Sequence, residues 1–446
     1  MHQYNSIPAQ RRPRNPWTWV PTLYFAEGLP YFTVMTVAVV LYKRFGLSNA
    51  DIALYTSWLY LPWVIKPFWS PFVDIIKSKR WWITTMQLFI GAGMAGIAFT
   101  LPTPFYLQVS LAFFWLMAFS SATHDIAADG FYMHALNDSQ QSFFVGIRST
   151  FYRLASIFGQ GVLIIIAGLL EKSTANIKMA WSITFFISAG LFIALFLYHR
   201  FILPRPLSDK DQVKHTPDII LKEFGKTFVS FFTKKGIGLA LAFILLYRLA
   251  EAMLVKLSYP FLLDTHSAGG LALSTEQAGI VYGTIGVIAL TLGGILGGIV
   301  ASRQGLKFWL WPMALSITLP NIAYLFLAMT QTERFLWVNV AVAIEQFGYG
   351  FGYTAYTLFL MYFSEGERKT SHFAICTGIM ALGMMLPGMV AGKLQEMLGY
   401  QHFYILVMIL TIPTLLLIPF MKIDKNYGKA HKTATETEAN SQTGGN

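Results

Sequence analysis

Twelve apolar stretches recur along this chain, at about residues 18 to 41, 50 to 70, 82 to 101, 106 to 133, 144 to 169, 179 to 199, 237 to 263, 275 to 300, 308 to 329, 334 to 361, 372 to 395 and 402 to 421. Each approaches the roughly 20 residues that an α-helix needs to cross the hydrocarbon of a bilayer. The expected fold is an all-α integral membrane protein with 12 transmembrane helices. Composition agrees, since 55% of the 446 residues are hydrophobic and only 12% charged, with a mean hydropathy of +0.51. A soluble enzyme of this size is excluded. The single cysteine, Cys376, excludes a disulfide framework and a Cys-rich metal site, and within an apolar run it reads as packing.

The net charge of +11 points to nucleic acid or to loops facing a cytoplasm, and the distribution of the charges decides. An even number of spans puts both tails on one side. That side holds 22 of the 33 Lys and Arg residues, among them Arg11, Arg12, Arg14, Lys77, Lys79 and Arg80, whereas the opposite face holds six and the spans five. The imbalance makes both termini cytoplasmic and removes nucleic acid as a partner. The first span follows basic residues as a signal peptide does, but it is too long for one and lacks a small-residue cleavage site, so it is expected to remain.

The one long internal connection falls in the middle, at 200–236. Within it Thr216 can cap a helix with Pro217 in its first turn, and Ile220, Leu221, Phe224, Phe228, Phe231 and Phe232 share a face beside Lys222, Lys226, Lys234 and Lys235. A helix lying on the inner membrane surface is expected there. Leu23-Tyr24-Phe25-Ala26-Glu27 is echoed by Tyr247-Arg248-Leu249-Ala250-Glu251, and Leu47-Ser48 with Tyr55 by Leu273-Ser274 with Tyr282. The halves therefore read as copies: a tail at 1–17, a six-helix bundle at 18–199, the linker at 200–236, a second bundle at 237–421 and a tail at 422–446. Parallel six-helix repeats are the plan of the major facilitator superfamily.

Longer strings sharpen the likeness. Phe25-Ala26-Glu27-Gly28-Leu29-Pro30, Phe68-Trp69-Ser70-Pro71-Phe72-Val73-Asp74, Ser120 to Asp129, Tyr152-Arg153-Leu154 and Leu246 to Glu251 together resemble the AmpG-type muropeptide permeases and, more distantly, the acetyl-coenzyme A transporters, over about residues 18 to 421. Asp74 followed by Lys79 and Arg80 is similar to the acidic-then-basic conformational loop of these transporters, and Arg303 belongs to its weaker copy in the second half. The resemblance implies a monomer of two six-helix bundles in a bacterial inner membrane, importing a muropeptide with protons and using no cofactor. The chain departs from the better-known permeases at Glu27, His124 and Phe131 to His134.

Charges inside spans are costly and usually face a cavity or a partner. Asp125 and Asp129, four apart, lie on one face of the fourth span about a turn apart. Each disfavours ionisation of the other, which makes the pair a candidate proton carrier. The competing reading is an ion pair with Arg148 or Arg153. His124 has no second ligand at metal-binding spacing, so no metal is expected, and it is assigned to the solute. Glu27, Glu251 and Glu345 sit near the centres of spans one, seven and ten, which in the family fold line the path together with span four; they join the proton-coupling set. Arg153, Arg248 and Lys256 are candidates to receive carboxylates, against the alternative that Arg248 simply neutralises Glu251. Lys66 and Arg148 read as snorkelling toward the inner face. Tyr24, Tyr31, Trp58 and Trp63 are candidates to stack on a sugar ring, and Trp17, Trp19 and Trp69 read as an interfacial belt. Gly348, Gly350 and Gly352 have no preceding strand and mark close helix approach instead of a nucleotide loop.

Two function classes follow: a proton-coupled transporter of an anionic amphiphilic solute, or a membrane-embedded transferase using His124 and Asp125. Short, chemically bare loops disfavour the enzyme, and the lack of a Walker-type loop disfavours an ATP-driven pump.

Overall fold

The computed structural model describes residues 14–206 and 217–429, and every regular element among the described residues is helical. The helices are α1 (Pro16–Arg44), α2 (49–75), α3 (Lys79–Thr100), α4 (Tyr106–Ala135), α5 (Ser139–Thr174), α6 (Ile177–Ile202), the linker helix α7 (Pro217–Phe232), α8 (Ile237–Leu263), α9 (Thr275–Gln304), α10 (Leu306–Thr330), α11 (Phe335–Ser364), α12 (369–398) and α13 (400–420). Thr216 and the side chains of Asp74, Ile220 and Leu221 lie outside the described residues, as do Arg11, Arg12 and most of both tails.

Nine helical stretches among the described residues are long and apolar enough to cross a membrane, against the twelve expected. Lys369–Phe420 counts once, although its backbone is non-helical at Gly399 (φ 72°, ψ 165°), where α12 and α13 meet. Helix α2 is interrupted between Asn49–Trp58 and Leu61–Ile75, and Pro62, which has no N–H to give, sits in the first turn of the second piece. Polar Asn339, Glu345, Gln346 and four tyrosines dilute α11.

The internal echo has a physical basis in capping. Ser48 accepts the amide of Asp51 at 3.1 Å to start α2, and Ser274 accepts that of Gln277 at 3.2 Å to start α9, so each half begins its second helix with the same device. Helix α7 forms as expected, but it docks on protein as well as facing outward. Phe224 and Phe228 stack against Phe68 of α2 at 5.5 and 5.3 Å, while Phe231 is buried against Phe363 and His372 of the second half.

The two halves meet most closely on the side away from the linker, here the far side. Gly388 of α12 faces Ser57, and Gly392 the carbonyl of Asn49. Gly283 of α9 lies directly on the backbone of Gln160 and Gly161 in α5. Both strands of this second contact are wound as wider i→i+5 turns, Phe158–Val162 and Gly279–Gly286, a distortion that recurs at functional crossings. Small residues let backbones approach where no side chain could fit. A polar latch completes the seal: Lys43 pairs with Asp264 at 2.6 Å, Asn49 donates to Gln395 at 2.7 Å and to Asp264 at 3.1 Å, and the amide of Ala50 donates to Glu396 at 2.9 Å.

Candidate functional site

Charged side chains in the middle of the first half form one cluster. Asp125 pairs with Lys66 of α2, and Asp129 with Arg148 of α5 at 3.0 Å. Tyr24 of α1 donates to the same Asp129 oxygen at 3.2 Å, and the Arg148 guanidinium lies 4.6 Å from the centre of its ring. Glu27, one turn further along α1, is within electrostatic reach of both aspartates and both cations, and its Oε2 has no partner among the described residues. The side chains of Asp129, Arg148, Lys66 and Asp125 are 41, 30, 28 and 23% exposed. Asp125 and Asp129 lie about 15 and 9 Å above the linker-side end of α4 at 1.5 Å per residue. Four charges 23 to 41% exposed at that depth would be costly against hydrocarbon, which argues that they line a cavity reached by water from the linker side.

These pairings correct two readings. Lys66 and Arg148 do not snorkel; they are the counter-charges of the aspartates, and the Arg148–Asp129 pair is the one offered by the competing reading. Arg153, the other suggested partner, instead donates to Thr291 of α9 at 3.4 Å in the seam between the halves.

The facing wall of the second half is built on a break in α8. Arg248 sits between Ile237–Leu246 and Leu249–Leu263 with φ −109° and ψ 11°, outside helical geometry. Interrupted helices are tolerated at membrane depth where they line a cavity. From this break the guanidinium donates to the Tyr349 hydroxyl and lies 5.3, 5.0 and 5.9 Å from the ring centres of Tyr349, Tyr353 and Tyr356. Tyr31 and Tyr60 of the first half are within its electrostatic reach. Arg248 is within electrostatic reach of Glu251 but makes no hydrogen bond to it, since both Glu251 oxygens lack a hydrogen-bond partner among the described residues. An aromatic cage leaves Arg248 cationic and ready for an anion.

Lys256, two turns beyond Arg248, is 6% exposed. It donates to Thr56 of α2 at 3.0 Å and lies 5.5 Å from the ring centre of Tyr60, tying the halves together. Beside it is a void of about 40 Å³, lined by Thr36, Val39, Tyr60, Tyr259 and Tyr282 among others. That holds a few waters at most and no solute.

The remaining expected residues divide. Tyr31 and Trp63 meet edge to face at 5.2 Å and stand beside the cavity wall. Trp58 is 41% exposed at the end of the first piece of α2 and has no ring contact among those described. His124 is turned away from the cavity. It is fully buried, and its Nε2 lies 3.0 Å from the Gln87 side chain, which in turn reaches His199; His199 meets Thr22. Neighbouring helix positions point about 100° apart, so with Asp125 in the cavity His124 must face the bundle core. Trp19 is likewise buried, against Phe131 at 5.3 Å, and belongs to no interfacial belt. Arg303 is exposed at the end of α9. Lys79 is buried against Gly130, beside Asp129, and Arg80 donates to backbone carbonyls at the end of α6.

Tyr349 and Tyr353 went unremarked in the sequence. The tyrosines at 349, 353 and 356, spaced by four and three, already mark one face of α11.

Comparison with known proteins follows the same line. The anhydromuropeptide permease of Escherichia coli K12 is 24% identical over 404 residues, covering 89% of this chain and 77% of that protein. A Rickettsia conorii protein named AmpG 4 is 26% identical over 419 residues, covering 91% and 96%. Among solved structures, the nucleoside transporter NupG superposes with a TM-score of 0.68 at 17% identity, over 91% of this chain and 98% of that one. The inward-open xylose transporter XylE of E. coli superposes at 0.65 and 12% identity, over 95% and 98%. A profile described as the Major Facilitator Superfamily matches residues 22–371. With the helical halves, the charged path between them and a match over most of its length, the chain belongs to the Major Facilitator Superfamily of membrane transporters.

Proposed function

We propose that the protein is a proton-coupled importer of an anionic amphiphilic solute, of the muropeptide class, working by alternating access across a bacterial inner membrane with both termini and the linker in the cytoplasm. The charge arrangement of the cavity carries this reading. Two cations, Lys66 and Arg148, are paired into a cluster of three carboxylates, Glu27, Asp125 and Asp129. One carboxylate is therefore left to take up and release a proton. Arg248 waits across the cavity in its tyrosine cage, with Tyr31 and Trp63 offering ring faces beside it. A sugar carrying a lactyl carboxylate and a short peptide matches that pairing of cation and aromatic surface, and the permease of E. coli, similar over most of this chain, is named for anhydromuropeptides. Loading a proton and an anion together keeps the net charge of the path unchanged, so the loaded carrier reorients without moving an unpaired charge through low dielectric.

The test is ligand-dependent stabilisation of the purified protein. An anhydromuropeptide should raise the unfolding midpoint with saturation, and an analogue whose carboxylates are amidated should do so far less. Equal effects of the two, or of neither, would contradict the reading.

A further inference from the structure

The second half holds a second polar compartment, set around two buried carboxylates. Antiparallel contacts set its register: Tyr247 donates to the Gly352 carbonyl at 2.9 Å, Tyr356 to that of Ile244 at 2.8 Å, and Arg248 to Tyr349. One turn further along α8 and one turn back along α11, Glu251 and Glu345 come level. They are 2% and 1% exposed. Both oxygens of Glu251 and Oε1 of Glu345 have no hydrogen-bond partner among the described residues, while Oε2 of Glu345 accepts from Gln346 at 3.0 Å.

Around them other buried oxygens are equally unengaged. The hydroxyls of Tyr324 on α10 and Tyr404 on α13 are unpartnered in fully buried side chains whose rings lie 5.5 Å apart, and Glu345 is within electrostatic reach of both. Asn321, 1% exposed and one turn before Tyr324 on α10, has neither side-chain atom partnered. Unpaired polar atoms are rare in a packed interior, and their concentration at one level calls for a ligand.

We infer that Glu251 and Glu345, with the surrounding hydroxyl and amide oxygens, form a monovalent-cation site in the second half that takes sodium. The donors are all oxygen, which suits a hard cation. The charge count selects the valence: Arg248 is the one cation in electrostatic reach of Glu251, none is in reach of Glu345 among the described residues, and with Arg248 set against Glu251 the pair is one positive charge short. A proton can fill the same place and must compete with sodium. The inference goes beyond the proton and solute chemistry of the first half and shares no residue with the aspartate cluster.

The experiment uses the full chain in detergent without solute. Its unfolding midpoint is followed against sodium chloride, with potassium or choline chloride holding ionic strength constant. The midpoint should climb and saturate with sodium alone. Because one proton is displaced, the sodium needed for half the effect should rise by about tenfold per pH unit on acidification. The sodium shift should be lost in Glu345→Gln and in Glu251→Gln and kept in Asp129→Asn. Equal shifts in the three salts, a midpoint that follows pH but not sodium, or a sodium shift retained in a folded Glu345→Gln would each overturn the site. If neither glutamine variant folds, the sodium selectivity and pH competition of the unmodified protein decide alone. Sodium binding without muropeptide binding would sink the proposed function and leave this site standing; the reverse result would do the opposite.

Discussion

Gly283 is where a single methyl group should change which way the transporter faces. A Cβ built there meets the carbonyl of Gln160, and lies 2.5 Å from the Gly161 nitrogen, where an ordinary contact begins at 3.4 Å. Relieving it needs α5 and α9 to part by more than 0.9 Å, the movement that clears the Gly161 nitrogen alone, because the Gln160 carbonyl lies nearer still and both sides of the contact are backbone. Overpacking of this kind costs about 1 to 3 kcal/mol. The cost falls only on the state in which the far side is closed, so Gly283→Ala should shift the balance toward far-side opening by about 5- to 150-fold. Gly298→Ala on the same helix is the control, since nothing lies within 4 Å of a Cβ there. In a Cys376→Ser background, a cysteine placed at Thr36, which borders the void beside Lys256, reports the opening through its labelling rate with an impermeant thiol reagent added from the far side. The reasoning fails if Gly283→Ala labels no faster than Gly298→Ala.

Three other substitutions probe the cavity. Asp129→Asn should abolish accumulation driven by a pH gradient while solute exchange between equilibrated compartments continues, because exchange moves no net proton; uptake assays in both modes check it. Lys66→Met should destabilise the protein by stranding Asp125, though by less than the ~3 to 5 kcal/mol of a fully buried pair because the two side chains are 28 and 23% exposed, and adding Asp125→Leu should recover most of that loss, read from unfolding midpoints. Arg248→Lys keeps the charge and loses the planar fork, so anionic solute should bind about tenfold more weakly, about 1.4 kcal/mol, with little change for an amidated analogue in the same titration.

Much of this architecture is legible in the sequence because membrane folding is dominated by one-dimensional signals. Apolar length points to the spans, nine of which are long and apolar enough among the described residues, and the Ser48 and Ser274 echo points to duplicated halves, since a cap is a local device. The acids at Glu27, Asp125, Asp129, Glu251 and Glu345 stand out because charge at that depth needs a reason. What the sequence hides is partnership. Lys66 meets Asp125 across 59 residues and Arg148 meets Asp129 across a helix pair, and a long cation near a span end has the same local appearance whether it snorkels or pairs. His124 and Trp19 mislead for the opposite reason: their residue types suit a binding site and an interface, while the direction of each helix face, fixed by packing against Gln87 and Phe131, buries both. The division of the five acids into two compartments is likewise tertiary, set by the register of α8 against α11.

The central claim, that proton and anionic solute move together, is tested most directly by uptake of an anhydromuropeptide into proteoliposomes with an imposed pH gradient. The account predicts accumulation above equilibrium when the transport direction and the proton gradient coincide, collapse of that accumulation with a protonophore, and no accumulation by Asp129→Asn. Uptake that only equilibrates, indifferent to the gradient and to Asp129, would contradict it.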